Sequence, residues 1–242
     1  MRLLVVLATL FVAALLAACT GMPRAVEASR SATLRNVAVA SLLGDDFKGV
    51  KVGITVFGNA FFSGRVPEWQ VDAYAARKAA ELLAPRFHAR PLSGAPGATV
   101  GALADQALPA LLMAARAAGA DGLLLIEPKR SGAFPMHAPP FGFHDRKIGA
   151  IPELPGFKSI SLGGRCVYAM YVVRLLDVAS GEELAMQWGG DEPCRSDADN
   201  DLFFAMRFED YSDAQRSVFR ERLYRQLDRG LGSAIGRLGL AP

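Results

Sequence analysis

The side chains in this sequence that could bind a metal ion or act as nucleophiles include three cysteines and three histidines. His137 and His144 stand close to Asp145 and Glu153, and imidazole and carboxylate groups together can bind a metal ion. Their order along the chain matches no spacing typical of metal ligands, so a loop without metal is the simpler interpretation. We therefore expect neither a metal nor a cofactor.

Catalytic motifs are also missing from the 242 residues. The sequence contains no Gly-x-Ser-x-Gly pattern and no glycine-rich phosphate-binding pattern. This favours a protein that is not an enzyme, although a hydrolase of unknown substrate remains an alternative. The chain has 27 basic and 24 acidic side chains without a long basic run, which argues against nucleic-acid binding.

The amino terminus has the composition of an export signal. Arg2 is followed by residues 3–18, which contain no charge and no proline. A short basic start and an apolar run that ends in small residues are typical of a secretory signal peptide. The run is shorter than the about 20 apolar residues that a spanning helix needs. We therefore predict a signal peptide over residues 1–18.

The residues at the predicted cleavage point are Leu16-Ala17-Ala18-Cys19, and they resemble the lipobox of bacterial lipoproteins. The resemblance implies a diacylglycerol on the Cys19 thiol, a second acylation on its amine, and firm attachment to a membrane by these chains. Thr20, where an aspartate would imply the inner membrane, implies the periplasmic face of the outer membrane. The alternatives are an ordinary secreted protein with a chance cysteine, and an uncleaved helix.

The mature chain is predicted to fold as one α/β domain, bordering on α+β, over residues 36–242, behind a flexible lipidated tether at 19–35. We expect a mixed sheet of five or six strands flanked by helices, with a long carboxy-terminal helix that begins at a Ser212 capping box. Two strands at 36–43 and 50–57 are separated by a short connection that suits a hairpin.

A second hairpin is predicted from residues 166–177 and 183–188, which turn at Ser180-Gly181. Two strands folded back at this turn would bring Cys166 opposite Cys194. An even pair of cysteines in an oxidising compartment commonly forms a disulfide. We therefore predict a Cys166–Cys194 bridge, with two unpaired thiols as the alternative.

Residues 129–162 show no periodicity and are interrupted by prolines. A structureless stretch of this length is usually functional or disordered. Aromatic and imidazole side chains on such a loop are plausible contacts for a partner protein. The predicted contact residues are Phe134, His137, Phe141, Phe143 and His144. The alternative is that the phenylalanines attach the loop to its own domain.

The order of these elements resembles a periplasmic α/β domain found in several envelope lipoproteins. It passes through Gly119-Ala120-Asp121 into an apolar strand, and then through a hairpin that turns at Ser180-Gly181-Glu182. The curli-secretion lipoprotein family and the amino-terminal domain of the Tol-system β-propeller protein have related arrangements. The resemblance implies protein–protein contacts in the periplasm. We therefore expect a lipid-anchored binding or scaffold protein with envelope partners, or a component of a secretion or envelope-assembly complex.

Overall fold

The computed structural model describes residues 23–52, 59–92, 104–129, 140–146, 164–190 and 203–241. The predicted signal peptide, Cys19 and Cys194 lie outside the described residues, as do Phe134 and His137.

The α/β class predicted from the sequence is confirmed. The strands are β1 (Asn36–Ser41), β2 (Asp46–Val52), β3 (Ala60–Arg65), β4 (His88–Pro91), β5 (Gly122–Pro128), β6 (Phe141–Arg146), β7 (Gly164–Ala169), β8 (Tyr171–Asp177) and β9 (Glu183–Gly189). The helices are α1 (Ala28–Thr33), α2 (Val71–Leu83), α3 (Ala104–Ala117) and α4 (Asp213–Arg237). The strands form a five-stranded sheet in the order β4-β1-β5-β8-β9 and a four-stranded sheet in the order β3-β2-β6-β7.

Three adjacent strands of the five-stranded sheet, β4, β1 and β5, are parallel, in agreement with the mixed sheet predicted from the sequence. Strand β1 pairs in parallel with both β4 and β5. Side chains on one face of β5, Leu124 and Ile126, join the core formed with α2 and α4. Those on its other face, Leu123 and Leu125, pack with α3. Because both faces of β5 are covered, the strand is apolar without alternation.

The hairpin at Ser180-Gly181 is confirmed as β8 and β9. Gly181 has φ of 75°, which glycine adopts without the steric cost of a side chain. The Asp177 carboxylate accepts hydrogen bonds from the Ser180 N–H at 2.7 Å and from its hydroxyl at 2.9 Å. The backbone hydrogen bond from Ser180 lowers the pKa of Asp177.

The hairpin predicted for residues 36–43 and 50–57 is wrong, because β1 and β2 belong to different sheets. The chain turns a corner after Ser41, where the half-buried carboxylate of Asp72 on α2 accepts three hydrogen bonds. The donors are the Ser41 hydroxyl at 2.6 Å and the backbone N–H groups of Leu43 at 2.7 Å and Gly44 at 3.0 Å. Burial raises the pKa of Asp72 by more than these hydrogen bonds lower it. Asp72 thus directs the chain away from the first sheet, a constraint that no local sequence pattern shows.

The single long strand predicted over residues 166–177 is divided in the structure at Met170. Cys166 lies on β7 opposite His144 of β6, in the sheet that does not contain the hairpin. The alignment from which we predicted the Cys166–Cys194 bridge is therefore absent. Cys166 is disulfide-bonded, and because Cys194 lies outside the described residues, the pairing stays a prediction.

The predicted flexible tether differs from the structure from residue 23 onward. Arg24 forms an antiparallel bridge with Met186 of β9, and the Val26 N–H donates to the Leu238 carbonyl at 3.0 Å. Helix α1 follows Val26, and Leu34 directly after this helix is buried. Small polar residues make this segment look like a linker, but a few apolar side chains and backbone hydrogen bonds fix it to the domain.

The carboxy-terminal helix α4 begins at the predicted capping box, in which Ser212 and Gln215 exchange hydrogen bonds. One side of α4 is buried across both sheets. Its buried side chains include Phe219, Leu223, Leu227, Leu231 and Ile235.

Helix α4 contains three glycines, and the structure separates the roles of two of them. A methyl group at Gly230 would lie 2.5 Å from Tyr171 Oη and 2.7 Å from the Gly190 nitrogen. At Gly232 nothing lies within 4 Å of the same position. Gly230 therefore permits close contact between helix and sheet, whereas Gly232 does not have this role.

We expect Gly230→Ala to destabilise the protein by up to about 2 kcal/mol, because the overpacking cost of about 1–3 kcal/mol is reduced by a gain in helix propensity of about 1 kcal/mol. Gly232→Ala is the matched control and should stabilise the fold by about 0.5–1 kcal/mol. Urea unfolding of both variants measures the two free energies. Equal effects of the two substitutions would contradict the close approach at Gly230.

We also expect Asp72→Ala to lower the free energy of unfolding by about 2 kcal/mol or more. The three donors, on the buried residues Ser41, Leu43 and Gly44, would lose their acceptor. Glu81→Ala on the same helix, where Glu81 forms an exposed ion pair with Lys78 at 3.6 Å, should change it by less than about 1 kcal/mol. Chemical denaturation again provides the measurement, and a tolerated Asp72→Ala would show that the corner does not depend on this carboxylate.

Candidate contact surface along strand β3

The structure corrects the assignment of two predicted contact residues. Phe141 and Phe143 lie on β6 and are fully buried. The Phe141 ring lies 6.4 Å from that of Phe47, and the Phe143 ring lies 5.2 Å from that of Phe219. These two side chains therefore hold their segment in its own domain, which is the alternative left open above. His144 is half-buried on β6, and no described contact makes it part of a contact surface.

A different aromatic side chain is exposed on strand β3, which lies at one edge of the four-stranded sheet. Phe61 is 61% exposed, whereas its neighbour Phe62 is 7% exposed. This alternation follows from the period of two along a strand, which sends successive side chains to opposite faces. An edge strand also presents backbone N–H and C=O groups that are available for pairing with another strand.

Residues 203–211 lie beside β3 and add further exposed apolar surface. Phe203 and Met206 are 45% and 64% exposed. Phe204, between them, contacts Phe62 with ring centroids 5.3 Å apart. The Tyr211 hydroxyl accepts from the Ala205 N–H at 2.8 Å and donates to the Phe203 carbonyl at 3.1 Å. This segment is therefore held in a defined position against the buried face of β3, on which Phe62 and Gly64 lie.

The other end of β3 borders a polar groove of about 540 Å³. It is lined by Asp46, Ser63, Gly64, Arg65, Glu68, Phe208, Glu209 and Arg216. Its cations are engaged by neighbours, since Arg65 pairs with Asp45 at 2.6 Å and Arg216 lies 5.0 Å from the Phe208 ring. Both the hydrogen bond and the charge of Asp45 raise the pKa of Arg65.

The wall of this groove depends on Gly64. A methyl group there would lie 2.3 Å from the Phe208 ring, so that ring packs directly against the β3 backbone. Phe208 also contacts Phe47, with ring centroids 5.7 Å apart. The groove and the edge strand are thereby tied to the centre of the core.

We define the β3-edge surface as Phe61, Ser63, Arg65, Phe203 and Met206. It combines large apolar side chains, a charged end and the backbone of an edge strand, which suits recognition of another polypeptide. In the part of the chain that the structure describes, no group of three or more His, Cys, Asp or Glu side chains is placed to hold a metal ion.

Sequence reasoning did not identify Phe61, Phe203 or Met206 as contact residues. The available signal was the number of aromatic residues at 203–211, which contains Phe203, Phe204, Phe208 and Tyr211.

Comparisons with known proteins provide little further information. No protein-family model and no curated protein matches this chain. One solved structure with a similar chain is the PelC L103M dodecamer from Paraburkholderia phytofirmans, at 11% identity and a TM-score of 0.36. The similarity covers 91% of this chain and 96% of that chain. The function is therefore argued from the residues of this chain.

Within the described ranges, no helix combines the length and the apolar composition that crossing a membrane requires.

Proposed function

We propose that this chain is a lipid-anchored periplasmic binding or scaffold protein that acts through contacts with other envelope proteins. The observation that carries the proposal is the leader, which ends in Leu16-Ala17-Ala18-Cys19. Acyl chains on Cys19 would attach the protein to a membrane, at about 0.8 kcal/mol for each buried CH₂ group. Thr20 after the cysteine favours the outer membrane, with the domain in the periplasm.

The β3-edge surface is our candidate for the protein contact. We propose that the partner supplies an extended segment, which pairs as an additional strand with the edge of β3 that no described strand occupies. Phe61 and Phe203 would then anchor its apolar side chains, because exposed aromatic rings bury large areas at interfaces. The charged end at Arg65, which forms an ion pair with Asp45, would favour polar groups at the other end of the segment.

The lipid anchor predicts a specific labelling pattern. Cells grown with labelled palmitate should incorporate the label into the wild-type chain, and Cys19→Ser should abolish it and leave the precursor uncleaved. Cys194→Ser is the matched control and should retain the label. Mass spectrometry of the mature protein locates its first residue, and a mature form beginning anywhere but at Cys19 would contradict the proposal.

The contact surface can be tested by a photo-crosslinking amino acid placed at one position at a time in living cells. Positions 61, 63 and 203 should give the same discrete adduct. Met113, which is 65% exposed on α3, is the control and should not give it. Phe61→Asp should reduce the adduct formed from position 203, because a charge cannot replace the buried ring. Adducts of equal yield from position 113, or none from 61 and 203, would refute the β3-edge surface.

A further inference from the structure

The amino-terminal segment is fixed to one edge of the five-stranded sheet. Arg24 and Met186 exchange two backbone hydrogen bonds, at 2.8 Å and 3.1 Å. The Arg24 guanidinium also forms an ion pair with the Glu183 carboxylate at 3.5 Å. Together with the bond from Val26 to Leu238, these contacts give the chain a defined position from Arg24 onward.

This position limits the distance between the domain and Cys19. Only five residue steps separate Cys19 from Arg24, and a fully extended chain covers at most about 17 Å in five steps. The bridge between Arg24 and Met186 is antiparallel. The backbone preceding Arg24 therefore leaves in the direction in which β9 runs, toward Trp188.

The side chains at this end of β9 have the character of a membrane interface. Trp188 is 44% exposed, with Lys129 Nζ 3.9 Å from the ring centroid. The Arg237 guanidinium donates to the Trp188 carbonyl at 2.6 Å. Among the described residues, Glu127 lies on this part of the sheet, but it is buried and pairs with Arg174 at 3.3 Å.

Tryptophan concentrates at the boundary between bilayer and water, where its ring meets acyl chains and its N–H meets water and headgroups. Lysine and arginine are attracted to anionic headgroups, and each contributes most within a Debye length of the surface. We infer that the end of the sheet bearing Trp188, Lys129 and Arg237 rests on the anionic surface of the bilayer that holds Cys19. This inference depends on the proposed lipidation. It adds a fixed orientation, in which Trp188 enters the headgroup region.

The inference can be tested by fluorescence, because the chain has only two tryptophans and the second, Trp69, is 3% exposed. The lipidated mature protein is reconstituted into vesicles of phosphatidylethanolamine and phosphatidylglycerol that carry a spin label at a shallow acyl position. We expect most of the Trp188 emission to be quenched. Trp188→Phe gives the residual Trp69 signal, which should not change. Vesicles of phosphatidylcholine should give weaker quenching, because they lack the anionic headgroups.

A matched control moves the reporter to the β3-edge surface. The double variant Trp188→Phe with Phe61→Trp places an exposed tryptophan on the four-stranded sheet, and we expect lipid quenching to be lost while aqueous acrylamide quenches it. Equal lipid quenching at positions 188 and 61, or a Trp188 accessible only to acrylamide, would overturn the orientation.

Flotation of the vesicles and the mass of the protein test the lipid anchor separately from the orientation of the domain. A protein that carries acyl chains and floats, but whose Trp188 is not quenched by lipid, overturns the orientation and leaves the proposed anchor in place. A protein without acyl chains overturns both.

Discussion

The fold depends on one helix being buried by two sheets at the same time. Helix α4 carries an apolar stripe that neither sheet alone could cover, and the absence of a side chain at Gly230 lets it approach Tyr171 and Gly190. The Tyr171 hydroxyl donates to the Leu227 carbonyl of the same helix at 3.3 Å. Burial of this ring raises the pKa of Tyr171, since the phenolate form would lose its hydration.

A cluster of aromatic rings around Phe47, the first buried residue of β2, joins the four-stranded sheet to helix α4. Its ring lies 5.3 Å from that of Phe219 on α4 and 5.2 Å from that of Trp69. A ring in this position contributes more than its area, because tilted aromatic pairs have a favourable geometry. Strand β2 pairs with β3 on one side and with β6 on the other, which leaves β3 at an edge of the sheet.

Local patterns were sufficient to predict elements whose signals are contained in a few residues. The capping box at Ser212, the left-handed Gly181 and the unbroken apolar strand of β5 all have such signals. Assignment of strands to sheets could not be predicted in this way. The corner after Ser41 is set by Asp72, which is remote in sequence, and the division at Met170 interrupts a strand pattern that continues without a break.

In the candidate site as well, only the features with a local sequence signal could be predicted. The anchor at Cys19 is a short motif and is visible in the sequence, whereas the exposure of Phe61 and Phe203 depends on which rings occupy the core. Phe141 and Phe143 look like loop residues because prolines and glycines surround them, and only their pairing in β6 shows why they are buried.

The bond between Val26 and Leu238 has a consequence for how the polypeptide matures. Ribosomes make the amino terminus first, so Val26 is synthesised well before Leu238, whose carbonyl accepts its hydrogen bond. Until Leu238 has been synthesised this bond cannot form, and the contacts of Arg24 with Glu183 and Met186 are the earlier attachment of the segment. Closure of the two chain ends is therefore one of the last events in the assembly of the domain.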